Sequence, residues 1–344
     1  ERNNRNAVGI GLVAFAAAIL LSILIAARVS KPLVRIADQC EEIGRFELGG
    51  PSLGRSRISE LDRLMTATEE MKVSLRSFQR YVPARLVREM SQSGVEADLG
   101  GESRVLTVLF SHVVGFAELQ RRLPPAELVE RLGSYFHQVT EEIETTGGTL
   151  DKYIGDAVMA FWGAPVALED HAARACRAAL EAQARTGELA ARWADADGAG
   201  FAAAVGINTG ELVVGNMGSR SSLNYTVLGD AVNVAARLEG LNKVYGTRIL
   251  LGEATQRAAG DRIVSRRIDR VAVKGKTQGI EIFELLGMRD QPNAGALQAL
   301  AEAYEASLEL YFGRRWEDAA AGFGELLADH PDDGPARLVL ERCR

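Results

Sequence analysis

The feature that most constrains this chain is an unbroken apolar run over residues 8–27, in which every residue is apolar or small and none is charged. Roughly 20 helical residues at about 1.5 Å each cross the ~30 Å hydrocarbon layer of a bilayer. A signal-peptide core is usually shorter, and no A-x-A cleavage site follows this run. Length favours a span over the buried helix of a soluble protein. Arg28, Lys31 and Arg35 follow the run, whereas Arg2 and Arg5 precede it beside Glu1. That asymmetry predicts a cell-membrane protein with one visible span and its long C-terminal part in the cytoplasm. Because the chain opens on Glu1 rather than Met, the natural N-terminus, with any sensor domain, is expected upstream.

After Ser30-Lys31-Pro32-Leu33 come two helical stretches, 34–45 and 58–78, divided by Gly49-Gly50-Pro51-Ser52-Leu53-Gly54. In the second, Ile58, Leu61, Met65, Thr68, Met71 and Leu75 recur at steps of three and four, which makes one apolar seam. Directly behind a span, residues 28–80 resemble a HAMP signal-relay linker. Residues 81–101 then read as a polar connector.

From 102 to 288 strand and helix patterns alternate. Residues 104–110 (RVLTVLF) form a buried strand, and 125–145 a helix closed by Gly147-Gly148. Segments 149–154 and 157–162 flank Gly155-Asp156 as a hairpin. Residues 168–193 make an Ala-rich helix, and 202–208 with 211–215 two strands around a second turn at Thr209-Gly210. A helix at 230–243 and strands at 263–273 and 279–285 complete an α+β sandwich of the ferredoxin-like kind. The tail, 292–344, reads as a helical hairpin about Gly313, similar to a tetratricopeptide pair. A net charge of −6 gives no sign of a nucleic-acid partner. Cys40, Cys176 and Cys343 are too scattered for a disulfide framework.

Three motifs carry chemistry: a strand end at 108–116 (VLFSHVVGF), the hairpin at 151–161 (DKYIGDAVMAF) and a turn into a helix at 228–238 (LGDAVNVAARL), with Val273-Lys274-Gly275-Lys276 beyond. Asp156 at a turn is well placed for a metal. Asn233 and Arg237, four apart on a helix, share one face and converge on one ligand. Lys274 between glycines has room to approach a polyphosphate. Taken alone, these residues define a phosphate and metal site without naming a reaction.

In order and spacing the motifs resemble the catalytic domain of class III adenylate and guanylate cyclases. The resemblance implies a cyclase domain that converts ATP to 3′,5′-cyclic AMP and pyrophosphate at the interface of a homodimer, using two divalent cations, Mg²⁺ or Mn²⁺. By motif, Asp156 and the positions of His112 and Val113 fall to the metals. Lys152 and Thr226 read the adenine, Asn233 orients the ribose, Arg237 stabilises the transition state and Lys274 binds the terminal phosphates. Lys with Thr is the adenylate-type pairing.

At His112 the chain departs from the family, which places a metal-binding Asp there. Imidazole is a poor ligand for Mg²⁺ but suits Mn²⁺ or Zn²⁺. Three readings follow: a cyclase whose site accepts such an ion, an impaired homologue that serves as a nucleotide-binding or regulatory dimerisation module, or a residue introduced at this position by engineering.

Overall fold

The computed structural model describes residues 2–78, 98–193, 202–219, 222–271 and 279–344, with main chain only for 2–8. Two compact units are present, Glu1–Ala97 and Asp98–Arg344.

In the first unit α1 (Arg2–Ile25) runs through a π-helical turn (Ala26–Ser30) into α2 (Lys31–Gly44). Pro32 lies directly after the π-helical turn, and the helix runs on through it into α2. Among the described residues one helix, Gly9–Gly44, is long and apolar enough to cross a membrane, and Ile10, Leu12, Val13 and Phe15 on it are exposed. A third helix, α3 (Ser59–Phe78), packs beside α2 around Ile36, Leu53 and Met65. The connector is fastened to both helices. Gln39 donates to the Pro51 carbonyl at 2.9 Å, Lys72 to the Gly50 carbonyl at 2.7 Å and Arg76 to the Leu48 carbonyl at 2.7 Å. The buried seam of α3 runs Leu61, Met65, Thr68 and Lys72, so Met71 is displaced outward at 44% exposure. Lys72 is tolerated inside because its ammonium caps connector carbonyls while its stem packs.

The second unit is built on one eight-stranded sheet. Its strands are β1 (Gly100–Val114), β2 (Thr149–Ile154), β3 (Ala157–Trp162), β4 (Ala202–Ser219), β5 (Ser222–Leu228), β6 (Ile249–Gly252), β7 (Ile263–Val271) and β8 (Ile280–Met288). The order is β2-β3-β1-β4-β6-β8-β7, with β5 paired to β4 off that path. Its first half, β2-β3-β1-β4, is the antiparallel order of the expected ferredoxin-like fold.

Alternation along β1 sorts its side chains between two helical layers. Leu109, Ser111 and Val113 face α5 (Pro125–Thr145) and α6 (His171–Trp193), where Ser111 hydrogen-bonds Tyr135 at 2.7 Å. Leu106 and Val108 face α7 (Asp230–Tyr245) through Ala231 and Ala235. With both faces covered, the strand needs the continuous apolar run that the sequence carries. A short helix, α4 (Phe116–Arg122), follows β1 after Gly115, whose φ of 75° is the left-handed conformation that glycine adopts freely.

Two expectations need correction. Thr209-Gly210 makes no turn, since β4 is one continuous strand with Thr209 opposite Thr107 and Gly210 opposite Leu106. The C-terminal segment is three helices rather than a hairpin: α9 (Ala294–Phe312), α10 (Trp316–Asp329) and α11 (Gly334–Cys343). Asp333 starts the third by accepting from the Ala336 N–H at 2.9 Å, as N-cap carboxylates do. These helices are bonded to the sheet. Buried Arg266 on β7 contacts Glu284 and Asp333, each at 2.6 Å, and stacks over Tyr304. Two short elements had no clear sequence signal: β6, and α8 (Glu253–Ala259) behind it.

Candidate active site

Parity along β1 decides where His112 points. It shares the even-numbered face with Leu106 and Val108 and so looks toward α7. There its Nδ1 hydrogen-bonds Glu239 Oε1 at 3.2 Å, while Nε2 lies 2.8 Å from Asp156 Oδ2. Asp156 reaches this point from the β2–β3 turn, where Gly155 takes a φ of 65°. The turn holds Asp156 opposite the strand end because His112 pairs in register with Ala157.

The two carboxylates treat the ring differently. Glu239 hydrogen-bonds Nδ1 from α7, whereas Asp156 forms a closer ion-pair contact with Nε2 through a buried oxygen. The hydrogen bond to Glu239 is the main reason the His112 pKa rises above the ordinary imidazole value. Burial opposes this rise, while the charges of Asp156 and Glu239 and a hydrogen bond to Asp156 add to it. A glycine makes this approach feasible. A Cβ on Gly206 of β4 would lie 2.2 Å from the Ala235 carbonyl oxygen and 2.3 Å from the Glu239 nitrogen, so α7 seats this closely only over glycine.

A second cluster forms between β2 and β5. Thr226 donates to Asp151 Oδ2 at 2.5 Å, and Lys152 Nζ lies 3.3 Å from the Thr226 hydroxyl and 3.1 Å from Asp151 Oδ1. The carboxylate of Asp151 is almost fully buried, while the Lys152 side chain is 44% exposed. A register shift in β2 between Leu150 and Lys152 coincides with the position of Asp151. An ammonium tip is thus presented to solvent on a fixed acidic base.

Asn233 and Arg237 are both exposed on α7, four residues apart as the sequence reading requires. Val113 is different: its side chain is fully buried under α5 and α6, which leaves only its main chain for a ligand. Lys274 lies outside the described residues. Motif reading missed three residues, Asp151, Glu239 and Gly206. The first is disguised by an irregular strand. The second was legible, since the Ala231, Ala235 and Leu238 stripe puts Glu239 on the sheet-facing side of α7.

The donor set tests which cation belongs here. Among the described residues no group of three or more His, Cys, Asp or Glu side chains could hold a metal ion. His112 and Asp156 together offer one nitrogen and one oxygen side by side. A pair of Mg²⁺ ions, each wanting oxygen in near-octahedral geometry, fits this poorly. One cation that accepts nitrogen, with its other positions left to phosphate oxygens, fits it.

One sheet and its covering helix thus carry a carboxylate–imidazole cluster, a lysine set on a buried acid and an exposed Asn/Arg pair. Residues 101–287 match the adenylate and guanylate cyclase catalytic domain, and the chain belongs to that class III cyclase family. It is 32% identical over 271 residues to adenylate cyclase 1 of Rhizobium meliloti, covering 79% of this chain and 41% of that protein. The chain therefore spans less than half the length of that relative. Among solved structures, a guanylyl cyclase, Cya2, is 34% identical with a TM-score of 0.51, over 57% of this chain and 98% of that one. The adenylyl cyclase CyaB from P. aeruginosa is 30% identical with the same TM-score of 0.51, over 56% and 98%.

Proposed function

We propose that this chain is an adenylate cyclase that converts ATP to 3′,5′-cyclic AMP and pyrophosphate between two copies of itself. The observation that carries the reading is the Lys152–Thr226–Asp151 cluster. Adenine presents an N6 amino donor beside a ring acceptor, whereas guanine presents a carbonyl there. A lysine that donates, next to a hydroxyl whose oxygen can accept, complements the adenine edge, with buried Asp151 holding both in place. The relative named adenylate cyclase 1 supports the same choice.

In the reaction the ribose 3′-oxygen attacks the α-phosphorus, loses its proton, and the bond to pyrophosphate breaks. Little covalent work falls to the protein; it must position the groups and neutralise charge. Asn233 suits the ribose, and Arg237 on the same helical face suits the phosphoryl oxygens as charge shifts across them. His112 and Asp156 would hold a divalent cation, which supplies charge neutralisation at the triphosphate. In a homodimer the His112/Asp156 end of one copy meets the Asn233/Arg237 face of the other, giving two equivalent sites. Tyr153 and Ile154, just before the Gly155-Asp156 turn, are exposed at 46% and 49% and suit such a contact.

An apolar helix and a helical linker ahead of the cyclase domain suit control of this chemistry by a membrane relay. Helix α1 anchors the chain, and the fastened α2–connector–α3 unit is built like a HAMP relay whose rearrangement would realign the two halves of each site. A tetratricopeptide-like role for the C-terminal helices belongs to the same proposal, as does the division into span, relay, connector, cyclase and tail. One observation favours a second reading, a nucleotide-binding regulatory dimer with little turnover: an imidazole stands where the family has a carboxylate.

The test is product identification from membranes carrying the chain, with ATP and then GTP, under Mg²⁺ and then Mn²⁺. Cyclic AMP from ATP, abolished by Asp156→Ala, is the expected result. No product from the native chain, with product restored by His112→Asp, would replace the active reading with the regulatory one.

A further inference from the structure

In the strand order β2 lies at one edge of the sheet and β7 at the other, and the β7 edge carries a charge cluster that the cyclase reading leaves unused. There the start of α6 and the ends of β7 and β8 enclose a cavity of about 480 Å³, within the size range of small-molecule sites. Arg174 and Arg177 of α6, Arg262 just before β7 and Arg289 just after β8 line it, together with two acids, Asp170 and Asp290. Four guanidiniums against two carboxylates leave two positive charges. The acids are unevenly shared. Asp170 accepts from Arg174 at 2.6 Å and Asp290 from Arg177 at 2.6 Å, whereas Arg262 reaches Asp170 only at 3.5 Å. The hydrogen bond from Arg174 is what chiefly holds the Asp170 carboxyl below its ordinary value, and Arg262 contributes least. The Arg289 side chain has no hydrogen bond or ion pair among the described residues. Sheet register forces these two poorly compensated arginines together. Ile263 pairs with Met288, and one step further the Arg289 N–H donates to the Arg262 carbonyl at 2.9 Å. Like charges directly opposite each other on a ladder are destabilising.

We propose that this cavity binds a small molecule through a phosphoryl group gripped between Arg262 and Arg289 and flanked by Arg174 and Arg177. Charge decides the class of ligand. A terminal phosphoryl group carries about −1.5 to −2 at neutral pH and matches the two surplus positive charges, whereas a carboxylate carries one negative charge. Geometry agrees with charge. Two guanidinium forks need more acceptor positions than the pair of oxygens on a carboxylate, and a phosphoryl group supplies three. A lone phosphate would leave most of the cavity unfilled, so the ligand has a body beyond that group. None of these residues belongs to the His112 or Lys152 clusters, and the site therefore stands whether or not the chain cyclises ATP.

The experiment measures binding of inorganic pyrophosphate to the full chain in phosphatidylcholine nanodiscs by equilibrium dialysis, in EDTA so that cation-dependent binding at the catalytic site is silent. One saturable pyrophosphate per chain is expected, weakening as salt is added. Arg262→Gln and Arg289→Gln should each weaken it by roughly 10- to 100-fold. Arg237→Gln, at the candidate catalytic site, should leave it unchanged. Thermal unfolding supplies a second measurement. Removing one of two opposed charges in Arg289→Gln should raise the midpoint of the unliganded chain slightly. Pyrophosphate should then raise the midpoint of the native chain but not that of the variant. A lower midpoint for unliganded Arg289→Gln would make the arginine a structural group and overturn its assignment. Absence of saturable binding, or binding lost in Arg237→Gln instead, would overturn the site. Glutarate bound as tightly as pyrophosphate would overturn the phosphoryl class. Nanodiscs containing phosphatidic acid identify the source: competition with pyrophosphate marks a lipid headgroup, and its absence marks a free phosphate compound, either of which supports a phosphoryl site.

Discussion

The two ends of the candidate site use the same materials to opposite effect. At the base-reading end, a buried carboxylate, Asp151, steadies a lysine whose tip stays in solvent. At the cation end, two carboxylates from different elements converge on one imidazole, Asp156 at 2.8 Å and Glu239 at 3.2 Å. Each cluster holds one buried carboxylate oxygen by an ion-pair contact alone, Asp151 Oδ1 at 3.1 Å from Lys152 and Asp156 Oδ2 at 2.8 Å from His112. The difference lies in how the basic group is held: a lysine tip stays in solvent above one acid, whereas an imidazole is enclosed between two. The comparison teaches that the two ends can be perturbed separately, since the lysine cluster hangs from β2 and β5 and the imidazole cluster from β1, the β2–β3 turn and α7.

The sharpest way to break that contrast is to remove its cation end. Asp156→Ala should lower cyclic AMP formation by ~10²–10³-fold, since a metal-centred contribution of several kcal/mol is at stake. Binding of an ATP analogue through its base should survive, and a fluorescence titration checks this. Loss of both together would mean that the ends are not separable. At the other end, Lys152→Glu should cut the preference for ATP over GTP by on the order of 10²-fold, the upper range for one base contact. Mn²⁺ affinity should stay as in the native chain. The ratio of kcat/KM values for the two nucleotides is the readout.

A third variant probes how the cation end is held. Gly206→Ala adds a methyl 2.2 Å from the Ala235 carbonyl oxygen, so α7 must move away from the sheet. Overpacking of this kind costs about 1–3 kcal/mol, visible as a lower denaturation midpoint. Mn²⁺ affinity should fall along with it, because Glu239 rides on α7. The Lys152 cluster hangs from β2 and β5 and should keep its nucleotide selectivity.

The same distinction explains what could be read without a structure. The β2–β3 hairpin lies where the sequence puts it, because Gly155-Asp156 is a local turn signal flanked by two β-rich runs. Thr209-Gly210 carries an equally good local signal and fails. Its partner is decided at long range, by fifteen residues of β1 paired along β4 and by Ala231 packing so close that a side chain at Gly210 would touch it at 2.8 Å. Four-residue β6 is likewise a product of burial between β4 and β8, with no periodicity of its own. Asn233 and Arg237 were legible because a helix repeats predictably. His112 was legible as an anomaly, but its partner Glu239 lies 127 positions away and only sheet parity brings it near. Asp151 needed an irregularity in β2 that no residue type announces.

The finest test of the contrast concerns Thr226, whose hydroxyl donates to Asp151 at 2.5 Å and lies 3.3 Å from Lys152. Thr226→Val keeps the shape and deletes the hydroxyl, leaving Asp151 to lean on Lys152 alone. The net worth of such a bond is about 1 kcal/mol, so the ATP preference should drop by somewhat less than tenfold. Thr226→Ser should restore it, since only the oxygen matters in this account. Cyclic AMP formation at saturating ATP should change little in either variant, because neither touches the cation end. A Val variant that lost turnover while keeping its base preference would mean that Thr226 serves the phosphates. The division between a base-reading end and a cation end would then have to be redrawn.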